Sequence, residues 1–124
     1  MAIPEKVIEA WDNKSGPAIF TTVDKSGNPN SVYVTCLSRY DNSTFIIADN
    51  YFEKTRQNIF AGSRASLLFI TGKGESLQLK GSVELFSSGE YFDDMKKWNP
   101  EKHPGRAAAV LTVDEAFAGS EKLL

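Results

Sequence analysis

Between Ser76 and Leu85 the chain alternates without a break. Leu77, Leu79, Gly81, Val83 and Leu85 take one set of positions, and Ser76, Gln78, Lys80, Ser82 and Glu84 take the other. A period of two puts each set on one face of an extended strand and does not fit a helix, whose apolar positions recur every three or four residues. Such a strand needs a partner to pair with, so the rest of the chain must supply a sheet.

It supplies five more candidates. Ala18 to Val23 reads as a strand. Asp24-Lys25-Ser26-Gly27-Asn28 then turns the chain, and Ser31 to Leu37 returns it, with Val32, Val34 and Cys36 on one face and Ser31, Tyr33 and Thr35 on the other. Asp41-Asn42-Ser43 leads into the apolar strand Phe45 to Ala48, and Gly72-Lys73-Gly74 joins a strand over Ala65–Thr71 to the alternating one. Ala107 to Val113 makes the last strand, and the tail Glu115 to Leu124 fits more than one state. Three short helices interrupt the series. One starts near Pro4, carries Ile3, Val7, Ile8 and Trp11, and ends before Gly16-Pro17. The second spans Thr55 to Ala61. The third follows Ser87-Ser88-Gly89-Glu90, which has the spacing of a capping box, and lines up Tyr91, Phe92, Met95 and Trp98 before Pro100 ends it.

Six strands joined mainly by tight turns do not follow the strand–helix–strand rhythm of a doubly wound fold. In 124 residues they make a single domain, mainly β, and closing the sheet on itself removes its exposed edges. The expected architecture is a six-stranded antiparallel split barrel with short peripheral helices over 1–124.

Charge narrows the function. Net charge is −2 with both signs interspersed, so no field favours nucleic acid or an anionic membrane surface. No apolar run reaches membrane-spanning length, and Met1-Ala2-Ile3-Pro4-Glu5-Lys6 lacks the pattern of a secretory leader; both suit a cytoplasmic protein. Cys36 is the only cysteine and His103 the only histidine, so the chain has no internal disulfide and no histidine-rich metal site.

The stretch Phe45 to Phe60 carries the best candidate chemistry. Its strand runs into a polar junction ending in Glu53-Lys54-Thr55-Arg56, which opens the second helix. A cation and a hydroxyl at that point are two of the parts that hold a phosphate. Thr55 lies three residues after Phe52 and four before Ile59, which turns it toward the sheet, and Lys54 falls on the rim. The plainer reading of Lys54 is a solvated charge, and Arg56 has Glu53 and Asp49 as alternative partners.

The order of these pieces resembles the flavin-binding split-barrel family of pyridoxamine 5'-phosphate oxidase, and most closely its short FMN-binding members. The resemblance covers Ile3 to Val113. It rests on the opening helix, Gly27-Asn28-Pro29, Lys54-Thr55-Arg56-Gln57-Asn58-Ile59, Gln78-Leu79-Lys80-Gly81-Ser82 and Arg106-Ala107-Ala108-Ala109-Val110-Leu111-Thr112-Val113. It implies an FMN-binding homodimer with the cofactor near the interface. Lys54 and Thr55 would meet the phosphate, with Thr55 replacing a lysine common in the oxidases. Ser31, Val32, Tyr33, Val34, Thr35 and Cys36 would pass beside the isoalloxazine, and Ala48 and Asp49 would line its other edge. The oxidases also carry downstream basic and histidine residues for pyridoxamine phosphate. Here His103 and Arg106 are the only late candidates and make no equivalent set, so oxidation of that substrate is not expected.

The implied function is electron exchange through FMN, with a redox protein or a small molecule as partner. No acid–base triad is expected, since the cofactor carries the chemistry. The alternatives are a cofactor-free split-barrel binding module and a relative that binds F420 or haem. Cys36 reads most simply as a small apolar residue in a strand. The Tyr91, Phe92, Met95, Trp98 stripe reads as packing, and His103 as exposed loop, with reach toward a partner subunit's cofactor as its functional alternative.

Overall fold

The computed structural model describes residues 2–124; Met1, part of the leader reading, lies outside the described residues. The elements are α1 (Glu5–Asp12), β1 (Ala18–Val23), β2 (Pro29–Val34), β3 (Leu37–Arg39), β4 (Thr44–Asp49), α2 (Lys54–Phe60), β5 (Arg64–Ile70), β6 (Ser76–Phe86), α3 (Glu90–Trp98), β7 (Ala107–Ala118) and β8 (Glu121–Lys122). The fold is mainly β, as expected, but the described residues form eight strands rather than six. The expected strand Ser31–Leu37 is cut in two after Val34, and the tail adds β8, which folds back on the end of β7.

Every strand pairing is antiparallel, and the order across the sheet is β2-β1-β5-β6-β7-β4-β3. The two ends of that path, β2 and β3, are consecutive in the chain with only Thr35 and Cys36 between them. The sheet therefore curls until its ends meet, and the seam between them is spanned by chain rather than by a ladder. Next to the break, Ala48 N donates to Cys36 O at 2.9 Å. This is the split of the barrel.

The interior holds Phe20, Phe45, Ile47, Leu67, Leu77, Leu79 and Leu111, all fully buried. Burying side chains of this size contributes roughly 1.5–3 kcal/mol each. Helix α1 packs onto the same core through Val7 and Trp11, with the Trp11 ring edge-on to Phe45 at 4.8 Å and to Phe69 at 5.2 Å. A second cluster lies outside the barrel, where Met95 of α3 covers Ile46, Ala48, Ala108 and Val110, and Tyr91, Phe92 and Trp98 pack around it. The aromatic stripe is thus helix-to-barrel packing. The capping box is not formed: Gly89 precedes α3 at φ 92° with no side-chain cap.

The alternation of β6 holds in space, with Leu77, Leu79 and Gly81 buried and Ser76, Ser82 and Glu84 exposed. At Lys80–Gly81 the register against β7 slips by a bulge, and a Cβ on Gly81 would sit 1.8 Å from Thr112 O. Only glycine allows β7 to cross that close. Among the described residues no helix is long and apolar enough to cross a membrane, and no three His, Cys, Asp or Glu side chains cluster as metal ligands.

Candidate functional site

A cleft of about 400 Å³ opens at the split of the barrel. Its long wall is the end of β2 and the break that follows, Val32 to Cys36. The opposite wall is Ala48 with Asn50, Tyr51 and Phe52, the loop that carries β4 into α2. The end of the cleft is formed by Glu53, Lys54 and Thr55, where α2 begins. The volume falls within the roughly 300–1,000 Å³ usual for small-molecule sites.

The residues at that end differ in kind. Thr55 is 1% exposed, so its hydroxyl needs partners, and it accepts a hydrogen bond from Asn30 Nδ2 of β2 at 3.1 Å. Lys54, beside it, is exposed. As the first residue of α2, Lys54 presents an N–H that has no acceptor within the helix. Asn58, one turn on, donates to Thr22 Oγ1 at 3.0 Å and pins α2 to β1. The site therefore has apolar strand walls at one end and a cation, a hydroxyl and an amide at the other.

Two neighbouring polar groups fix the loops around the cleft. The Asp49 carboxylate, 0% exposed, pairs with Arg56 of α2 and, at 2.9 Å, with Arg106 just before β7; it also accepts the Phe52 N–H at 3.0 Å. Asn50 and Asn99 exchange reciprocal amide bonds of 2.9 and 3.1 Å, and Asn50 Oδ1 accepts Gly105 N–H at 2.9 Å. The segment after α3 is thereby held against the β4–α2 loop. It carries His103, whose Nδ1 lies 3.2 Å from the Tyr51 hydroxyl, with the two rings edge to face at 5.7 Å. Tyr33 and Tyr51 stand on the rim, 77% and 66% exposed.

Of the residues singled out from sequence, Val32, Tyr33, Val34, Thr35, Cys36, Ala48, Lys54 and Thr55 come together along the cleft. Ser31 and Asp49 do not line it. The Ser31 hydroxyl is bonded to Thr21 Oγ1 on β1 at 2.7 Å, and Asp49 is turned into its two arginines. Arg56 takes the intramolecular alternative, Asp49. His103 is half-buried and lines its own chain's cleft. Sequence reasoning did not reach Asn30, Asn50 or Asn99. Their partners are 25 to 55 residues away, and no local pattern marks a side-chain amide that will bond across the fold. Tyr51 and Phe52 were within reach, since they directly precede the Glu53–Arg56 junction.

Comparison with known proteins gives a consistent result. The model of the pyridoxamine 5'-phosphate oxidase family matches residues 4–118. An uncharacterized protein of Methanocaldococcus jannaschii is 26% identical over 121 residues, covering 93% of this chain and 79% of the relative. Among solved structures, HupZ of Group A Streptococcus superposes with a TM-score of 0.80 at 25% identity, over 94% of this chain and 93% of that one. An FMN-binding protein from Syntrophomonas wolfei does so at 0.76 and 23% identity, over 94% and 85%.

Proposed function

As the chain belongs to the pyridoxamine 5'-phosphate oxidase family, we propose that its cleft binds FMN and that the protein exchanges electrons through that cofactor. The observation that carries this reading is the division of the cleft. Lys54, Thr55 and Asn30 gather polar contacts for a phosphate at one end, and Val32, Val34, Ala48 and Phe52 offer apolar surface for a flat ring along the rest. Bound there, FMN would supply reversible one- and two-electron chemistry. The chain's own residues would bind and orient it. Lys54 would provide the charge-assisted contact and Thr55 the buried hydroxyl.

The same geometry argues against pyridoxamine phosphate as substrate. A second phosphate would need a second cationic pocket, and the late arginine, Arg106, is engaged by Asp49 and by Phe52 O at 2.7 Å. The reading includes a homodimer, in which the exposed rings of Tyr33 and Tyr51 on the cleft rim are covered by a second copy.

The visible spectrum of the purified protein tests the cofactor. Protein that retains FMN through gel filtration shows the flavin bands and releases FMN on denaturation. Colourless protein that retains no added FMN would instead support the cofactor-free binding module.

A further inference from the structure

Among the described residues, Asp49 is the only charged side chain that is buried. A buried carboxylate is costly unless paired, and well-packed apolar residues usually stabilise a fold at least as well as a buried ion pair. Its placement calls for a reason other than stability. All of its side-chain bonds go to groups that bracket the polar end of the cleft. Oδ1 accepts Phe52 N–H at 3.0 Å and Arg106 Nη2 at 2.9 Å, and Oδ2 accepts from Arg56 Nη1. Arg106 Nη2 also donates to Phe52 O at 2.7 Å. Both backbone polar groups of Phe52, two residues before Lys54, are thus fastened, and so is Arg56, two residues after it. Lys54 and Thr55 lie between the anchored points.

We infer that Asp49 is a positioning residue that fixes Lys54 and Thr55 and thereby sets the preference of the cleft for a phosphorylated ligand over its dephosphorylated form. The inference rests on the phosphate reading given above. It predicts an effect opposite in sign to that of charge alone. Asp49 is negative, so through space it disfavours a phosphate, and removing it should tighten phosphate binding if charge were its only influence. If it acts by position, removing it weakens that binding although the site has become more positive.

Titration of FMN and riboflavin into apo protein separates the two, because the ligands share the ring and differ at the phosphate. In Asp49→Asn the riboflavin-to-FMN ratio of Kd values falls about tenfold or more, the size of one lost charge-assisted contact, with riboflavin affinity little changed. A merely structural role would weaken both ligands alike and leave the ratio where it was. Should Asp49→Asn not fold, the double variant Asp49→Asn/Arg106→Gln removes the same clamp with no change in net charge and leaves one arginine, Arg56, unpaired rather than two, and the ratio falls there too. A ratio that is unchanged or larger in the folded variant overturns the inference and leaves the phosphate reading intact. A wild-type protein that does not distinguish FMN from riboflavin overturns the phosphate reading itself, and the inference with it.

Discussion

Lys54 and Thr55 divide one task between an exposed charge and a buried hydroxyl, and their variants should fail differently. Lys54→Ala leaves the fold intact, since the side chain is in solvent, and weakens FMN binding by roughly 1.5–3 kcal/mol. Calorimetric titration shows this as a raised Kd with a shallower dependence on salt, whereas equal Kd values for variant and wild type would remove Lys54 from the site. Thr55→Val keeps the shape, removes the hydroxyl and leaves Asn30 Nδ2 without its acceptor. It should narrow the gap between FMN and riboflavin. Asp24 gives a residue-scale prediction in pH. The backbone N–H of Asn28, then that residue's side-chain amide, hold the Asp24 carboxyl below the ordinary carboxylate range. A carboxyl depressed by folding stabilises the protein above its unfolded pKa and loses that contribution as pH falls through its folded pKa. Asp24→Ala should therefore lower the melting temperature at pH 7, and the difference from wild type should shrink in acid. A difference that is constant with pH would mean that the ionised carboxylate does not hold the turn leading into β2.

At the scale of elements, the strands were legible wherever one face is buried, and least legible along the cleft. The alternation of Val32, Val34 and Cys36 runs through the break after Val34, so periodicity reports one strand where there are two. What interrupts it is the closing of the sheet on itself, which is a property of all the strands together. Likewise Phe45-Ile46-Ile47-Ala48 is apolar on both faces, and nothing local says what covers the outer pair, Ile46 and Ala48. The structure covers them with Met95 of α3, far along the chain. The inward turn of Thr55 was legible, because helical spacing from Phe52 and to Ile59 is local. The Asn50–Asn99 pair was not, because its members stand 49 residues apart. Two variants test this layer. Gly81→Ala should destabilise the protein by more than about 3 kcal/mol, because its Cβ would meet the backbone of β7 rather than a side chain that can move. Chemical denaturation measures this, and a loss under about 1 kcal/mol would mean that the strands part easily at the bulge. Asn99→Ala leaves the buried Asn50 amide short of partners and should cost about 1–3 kcal/mol. It should also release the segment that carries His103.

For the whole molecule, the cleft at the split is where the barrel gives up a ladder and opens space between its walls. The walls come from β2, from the end of β4 and from α2, and the loops are fixed by Asp49 and Asn50. With the outer face of β4 covered within the chain, the large apolar side chains left exposed among the described residues are the rim tyrosines, Phe60 of α2, Ile70 at the end of β5 and Val23 at the end of β1. If a second copy covers the rim, FMN and the dimer stabilise each other by mass action. Sedimentation velocity on a dilution series should then show dissociation shifting to lower concentration when FMN is added; a monomer that holds FMN equally well at every dilution would refute the link. The proposed function makes the cleft a flavin mononucleotide site with its phosphate at Lys54 and Thr55. Calorimetric titration of wild-type apo protein with FMN and then with riboflavin tests it most directly. One FMN should bind per chain, saturably and at least about tenfold tighter than riboflavin; equal affinity for the two, or no binding of either, would rule out a phosphate site at Lys54 and Thr55.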